Sequence, residues 1–326
     1  MKISGVAKKF SATNLRLLKQ VGVDDFVYYN MAGMPVDFDE LAGVKKFVEG
    51  EGLRLSVIEG GPPIDRIVLG KDGRDQQIAQ YQQALRNMGK LGIGVLCYNF
   101  MPQVGPVAMV VRTSLRFPER GGAPTSQFRL AEVTPATVPH RERPITDEQM
   151  WDNLEYFLKR IVPVAEAAGV KLAMHPDDPP VSPLCGLARI MRSEENFSRL
   201  LQLAPSPVNG LTLCQGCFAE MGSAIPAVVR RFAGRIHFVH FRDVRGTPTD
   251  FHETFPDNGP TDMLAALRTY KAIGYDGFVR VDHVPLLANE EGEYDGYGMP
   301  GHIFAIGYLK GLMESVFGKP PAPKGN

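Results

Sequence analysis

Cysteine is scarce: the chain of 326 residues has four, Cys97, Cys185, Cys214 and Cys217. So few, so scattered, exclude the disulfide framework of a small secreted domain and point to reduced thiols. Cys214 and Cys217 have the C-x-x-C spacing, but without a second pair it argues only weakly for a structural zinc or a redox couple. Net charge is missing too, since 36 Lys plus Arg balance 36 Asp plus Glu. No global field draws the protein to nucleic acid or to an anionic membrane, and a small molecule is the expected partner. No apolar run approaches the ~20 residues of a membrane span, and the start Met1-Lys-Ile-Ser4 lacks a signal-peptide core, so a cytoplasmic location is expected. Gly60-Gly-Pro-Pro-Ile64 and Gly121-Gly122 do not open a helix in the G-x-G-x-x-G manner, which argues against a nucleotide loop.

What is present is an ordinary globular composition, 44% hydrophobic and 22% charged, in a length that suits one large α/β unit. Short apolar runs alternate with longer amphipathic ones. The runs predict strands at Ile3 to Val6, Asp25 to Tyr29, Leu53 to Ile58, Gly94 to Tyr98, Val170 to Met174, Gly210 to Leu213, Ile236 to Val239 and Gly277 to Val281. Helices are expected at Ala12 to Val21, Asp39 to Gly50, Asp75 to Leu91, Asp147 to Ala168, Glu194 to Leu203, Ile225 to Phe232, Thr261 to Ile273 and Ile303 to Val316. Ser11 or Thr13 and Asp147 can cap N-termini, and Gly22, Gly92, Gly169 and Gly274 stand where a helix hands over to a strand. Eight strands in alternation with helices predict a single (β/α)8 TIM barrel over residues 1–317, followed by a frayed tail at 318–326. The stretch from Pro102 to Pro144 is long, poorly periodic and rich in Pro, Gly and Arg. It reads as a lid or a disordered insertion, and its place after a strand's C-terminal end favours a lid at about 102–146.

The last four strands share a feature: Lys171-Leu-Ala-Met-His175, Leu211-Thr-Leu-Cys214, Ile236-His-Phe-Val-His240 and Phe278-Val-Arg-Val-Asp282 each end on a metal-ligand type. Separations of 39, 26 and 42 residues each leave room for one helix and return, so the four side chains can converge at a barrel mouth. Singly, each is more readily a polar strand end or, for Cys214, a small buried hydrophobe. Together, two imidazoles, a thiolate and a carboxylate suit Mn²⁺, Fe²⁺, Co²⁺ or Zn²⁺ and not Ca²⁺.

The wording around these positions is specific. His175-Pro-Asp-Asp-Pro-Pro180, Pro183-Leu-Cys-Gly-Leu-Ala-Arg-Ile190 and Asn209-Gly-Leu-Thr-Leu-Cys214 resemble mannonate dehydratase, with further echoes in Cys97-Tyr-Asn-Phe-Met-Pro102, Arg112-Thr113, Phe251-His-Glu253, Asp282-His283 and Tyr308-Leu-Lys-Gly-Leu312. The resemblance covers most of the chain. It implies a xylose isomerase-like barrel, a homo-oligomer, and a metal-dependent hydro-lyase of hexuronate catabolism that converts D-mannonate to 2-keto-3-deoxy-D-gluconate. It implies one divalent metal, Mn²⁺ or Fe²⁺ before Co²⁺ or Zn²⁺, on His175, Cys214, His240 and Asp282. His283, next to Asp282, is the first acid/base candidate because imidazole titrates in the working range. By resemblance Tyr297 shares that work, with Tyr294 and Tyr308 as competitors. Asn99, Arg112, Asp177 and Asp178 are the expected substrate-binding residues, Arg112 as a bidentate carboxylate grip.

The pattern departs from the family's at Gln215-Gly-Cys217, across Phe255 to Met263, and at Val284 after His283. The ligands survive these changes, whereas the pocket and the preferred sugar acid are open to change. Two other readings stand beside the dehydratase. One is a metal-dependent sugar isomerase or epimerase of the xylose isomerase-like superfamily, usually marked by carboxylate-rich ligands; the other is a noncatalytic sugar-acid binding protein.

Overall fold

The computed structural model describes residues 1–29, 33–102, 110–134, 143–290 and 296–319. Its strands are β1 (Lys2–Gly5), β2 (Asp25–Tyr29), β3 (Arg54–Glu59), β4 (Val95–Tyr98), β5 (Ser114–Pro118), β6 (Pro124–Arg129), β7 (Lys171–Met174), β8 (Asn209–Cys214), β9 (Ile236–Phe241), β10 (Val244–Thr247), β11 (Asp250–Glu253) and β12 (Phe278–Val281). Its helices are α1 (Ala12–Gln20), α2 (Phe38–Gly50), α3 (Asp65–Val68), α4 (Arg74–Lys90), α5 (Asp147–Ala168), α6 (Glu194–Leu203), α7 (Gln215–Glu220), α8 (Ile225–Arg231), α9 (Met263–Ala272) and α10 (Met299–Phe317).

Eight strands close into a parallel barrel in the order β1-β12-β9-β8-β7-β4-β3-β2. The strands are short, and most of their residues are buried, as in barrel strands covered by helices. Helix signals act largely as expected: Ser11 accepts from the Asn14 amide, and Gly22, Gly92, Gly169 and Gly274 take positive φ. Thr146, rather than Asp147, caps α5, in a reciprocal box with Gln149; Asp147 is the first helical residue. α10 begins four residues before Ile303, with Pro300 near its start, where proline's missing N–H costs nothing. Leu15 and Leu18 of α1 are fully buried, each worth roughly 1.5–3 kcal/mol of burial. Among the described residues no helix is long and apolar enough to cross a membrane.

The sequence reading misses a second sheet. β5 and β6, inside the stretch expected to be a lid, join β10 and β11 in an antiparallel sheet of order β10-β11-β6-β5. β5 alternates between half-buried and exposed residues without a buried side, so no apolar period marks it. Residues 103–109 and 135–142 of that stretch, and 320–326 of the tail, lie outside the described residues.

The barrel interior prepares the site. Val27, Val57, Val95, Cys97, Ala173 and Phe238 belong to the cluster that fills the barrel interior. Side chains alternate faces along a strand, so the residue two positions on from each also points inward, one layer nearer the C-terminal mouth. From Val57, Ala173 and Phe238 that rule selects Glu59, His175 and His240.

A candidate metal and acid/base site at the barrel mouth

His175, Cys214, His240 and Asp282 come together, with one donor atom from each lying within 4.8 Å of the others. Strand register aligns them: Cys214 is opposite His240, and His240 is opposite Arg280, two residues before Asp282. His175 Nε2 lies 3.2 Å from His240 Nδ1, His240 Nδ1 lies 3.4 Å from Asp282 Oδ2, and Cys214 Sγ lies 3.7 Å from Asp282 Oδ2. Donors held 2.0–2.3 Å from one tetrahedral ion sit about 3.3–3.8 Å apart, so the donor set and its spacing fit a divalent ion of the softer kind. The second layer agrees. His175 Nδ1 donates to the Pro176 carbonyl at 2.7 Å, which leaves its Nε2 lone pair facing the centre. Glu59 Oε2 lies 3.6 Å from His240 Nε2, as a carboxylate does when it orients a ligand imidazole.

Electrostatics tune the same atoms. Burial would push the Asp282 carboxyl up, but His283, Arg280 and His240 hold it well below the usual carboxylate range. Burial also opposes ionisation of Cys214; hydrogen bonds with Cys217, His175 and His240, and the nearby Arg242, bring its thiol well below the ordinary value. Burial and Arg280 disfavour a charged His240, but Glu59 and Asp282 outweigh them and hold it well above the usual imidazole range. The pocket is thus built to stabilise positive charge among its donors.

Beside the donors stand His283 and Tyr297. The Tyr297 hydroxyl donates to Asp282 Oδ1 at 2.7 Å, and its ring packs edge-on against His283 at 5.1 Å. His302 bonds the Gly296 carbonyl at 3.2 Å and secures the turn that carries Tyr297. His283 Nδ1 lies 3.1 Å from Glu253 Oε1, and its Nε2 lies 3.8 Å from Asp282 Oδ1. Tyr308 lies on α10 against Phe241, 6.2 Å between ring centres, and Tyr294 is outside the described residues.

The expected substrate-binding residues are placed less simply. Arg112 has five N–H groups, and all are taken. Two go to Asp178 at 2.6 and 2.8 Å, one to Glu253 at 3.0 Å, one to Ser126 Oγ at 3.1 Å and one to the Val111 carbonyl at 3.0 Å. Both Asp178 oxygens are engaged by Arg112, and one also by Arg242 at 3.0 Å. Asp177 accepts from the Met191 amide at 2.6 Å; burial pushes its carboxyl up to about 6, against the pull of Arg189 and the Met191 amide. Asn99 Oδ1 accepts from the Met101 amide at 3.2 Å. These contacts hold the loops of the mouth, so no Arg112 donor is left to clamp a substrate carboxylate.

Arg242, Glu253, Glu220, Glu59 and Arg280 escaped the sequence reading. Arg242 is fully buried and bonds Glu253 at 2.7 and 2.8 Å, Glu220 at 2.6 Å, Asp178 at 3.0 Å and Cys217 Sγ at 3.1 Å. Its stem lies against Gly216, where an added Cβ would meet it at 2.7 Å, so a side chain there would have to displace the arginine. Arg280 grips Glu59 with bonds of 2.5 and 2.7 Å and Asp282 with one of 2.9 Å. The inward alternation of β3 and β12 was the available signal for Glu59 and Arg280.

A closed parallel barrel with a thiol, two imidazoles and a carboxylate at its C-terminal mouth, beside a carboxylate-held histidine, is a barrel of the xylose isomerase-like fold with a candidate metal site. Comparison narrows the class. The family model described as D-mannonate dehydratase (UxuA) matches residues 5–143 and 136–319. Mannonate dehydratase 2 of Halalkalibacterium halodurans is 34% identical over 334 residues, spanning 93% of this chain and 95% of that protein. The crystal structure of mannonate dehydratase from Streptococcus suis serotype 2 superposes with a TM-score of 0.89 at 32% identity, covering 100% of this chain and 97% of that one. A xylose isomerase domain protein from Planctomyces limnophilus shares the fold alone, with a TM-score of 0.64 at 12% identity over 97% of this chain and 99% of that one. The chain belongs to the mannonate dehydratase family.

Proposed function

We propose that this protein is a hydro-lyase that removes water from D-mannonate to give 2-keto-3-deoxy-D-gluconate, working with one divalent metal, Mn²⁺ or Fe²⁺ before Co²⁺ or Zn²⁺, as a cytoplasmic homo-oligomer. The observation that carries the reading is the meeting of four donors of mixed softness with the His283–Glu253 pair and Tyr297 at one barrel mouth, in a chain of this family.

The reaction breaks the C2–H and C3–OH bonds, and the enol so formed tautomerises to the 2-keto acid. His175, Cys214, His240 and Asp282 would hold the metal, which as a Lewis acid stabilises the negative charge that develops next to the carboxylate. The remaining tasks are proton transfers and positioning. A carbon acid of this kind needs a base, and the leaving hydroxyl needs a proton. His283, with Nδ1 anchored on Glu253, presents Nε2 to the mouth; Tyr297, bonded to Asp282, presents a hydroxyl on the same side. We assign the two proton transfers to this pair. Arg242, His283 and Arg112 keep Glu253 ionised: burial raises its pKa, these three overcome that, and it falls to about 2. The small sheet carries Glu253, at the end of β11, to His283.

The test is a screen of hexonates against the protein reconstituted with each metal, read as keto-deoxy acid formed. D-Mannonate is expected to be turned over fastest with Mn²⁺ or Fe²⁺. Ketose formed from neutral sugars, without keto-deoxy acid from any hexonate, would overturn the assignment in favour of an isomerase; metal and acid binding without turnover would favour a binding protein.

A further inference from the structure

A sugar acid brings a carboxylate, and the guanidinium groups around this mouth have nothing left to offer it. Arg112 has all five N–H groups engaged, as described. So has Arg242, through Glu253, Glu220, Asp178 and Cys217. Arg280 spends its own on Glu59, Asp282, the Val281 carbonyl and, at 3.5 Å, the Tyr297 hydroxyl.

One cation beside the site is placed differently. Lys8 follows β1 at the C-terminal mouth, and its ammonium sits 3.3 Å from the ring centre of Tyr29 and 4.3 Å from that of Tyr297. The two rings are parallel within 3°, with centres 6.4 Å apart. Ring faces attract a cation but use none of its hydrogen-bonding capacity in the way an oxygen does. Among the described residues no carboxylate lies within ion-pair distance of Lys8. Burial pushes its pKa down to about 7, although Glu59 and Asp282 pull the other way. Lys8 also lines a cavity of about 280 Å³ together with Lys9, Ser11, Thr13, Asn14, Tyr297 and Met299, a mainly polar wall suited to a polyol. The Tyr297 that borders this cavity is the one bonded to Asp282, so cavity and donor set are neighbours.

We propose that Lys8 is a substrate-binding residue whose ammonium takes the carboxylate of the sugar acid, the role for which Arg112 has no free donor. The inference rests on the sugar-acid reading above. Binding adds the carboxylate to the ring-held cation, and the Ser11–Asn14 wall receives hydroxyls of the chain.

The experiment measures binding by calorimetry on the metal-loaded full-length protein, using the hexonate that binds the wild type most tightly and the neutral amide of the same acid. Lys8→Met is expected to weaken the acid roughly 10- to 100-fold, the range for a lost charge-assisted bond, while the amide changes less than about threefold. Lys8→Arg should restore most of the loss, and metal content by elemental analysis should stay at the wild-type value. Equal acid affinity in Lys8→Met, an equal loss for acid and amide, or loss of metal would overturn the proposal. If Lys8→Met does not fold, Lys8→Gln carries the same comparison. A hexonate that binds tightly but is not dehydrated sinks the reaction assignment alone; failure of every hexonate to bind sinks both.

Discussion

Replacing Arg242 with Met should cost the protein more than any other single change near the mouth. Arg242 and Asp178 are 1% exposed, and Glu220 and Glu253 0%. Breaking a buried pair by removing one partner costs about 3–5 kcal/mol, because a charge is left uncompensated. Two features temper this. Arg112 still bonds both Asp178 and Glu253, and burial together with Asp178 already raises Glu220 well above the carboxylate range, so it sheds its charge readily. The lower part of the range, about 3 kcal/mol, is therefore expected. Unfolding entropy near 2.1 cal/mol/K per residue gives about 0.7 kcal/mol/K for a chain of this size, so the melting temperature should fall by about 4 °C. The pH dependence carries the diagnosis. The folded Glu253 pKa, near 2, lies below the unfolded value, so its stabilisation is present above about pH 4.5 and is lost as pH falls through 2. The gap between wild type and variant should be widest at neutral pH and narrow as the solution is acidified. Melting followed by circular dichroism from pH 7 to 3 reads this. A gap under 1 °C at pH 7, or one that stays constant on acidification, would refute the reasoning.

Two further outcomes concern the site. Cys214→Ala and His240→Ala should each drop bound Mn²⁺ or Fe²⁺ by at least tenfold, since each removes one of four protein donors; unchanged occupancy by elemental analysis counts against this ligand set. His283→Asn should keep its metal and lose roughly 10²–10⁴ in turnover, the usual worth of a proton-transferring side chain; full activity would remove His283 from the acid/base pair.

The barrel was legible because its strands are nearly continuous apolar runs between capped helices, and the four donors because each ends such a run. Glu59 gives no apolar signal because the third apolar run stops at Ile58, one residue short, and Arg280 none because an arginine inside Phe278–Val281 reads as strand filler. The Arg242 cluster is of another kind. It exists only because β11 pairs with β6 from a distant insertion and α7 brings Gly216 against the arginine stem, and neither pairing leaves a local period. Lys8 gives no local sign at all: beside Lys9 it looks like solvated charge until the folded chain stacks two tyrosines around it.

The seam between β1 and β12, with Lys2 opposite Phe278, sets a condition on how the protein is made. Lys8 and Asp282 are 274 residues apart in the chain, yet the β1–β12 pairing brings both to the same mouth. A chain in which β12 has not docked brings together only three of the four donors beside an open wall, so full metal affinity is expected only once β12 has joined β1 and β9. Ion capture would then act as a late latch on barrel closure.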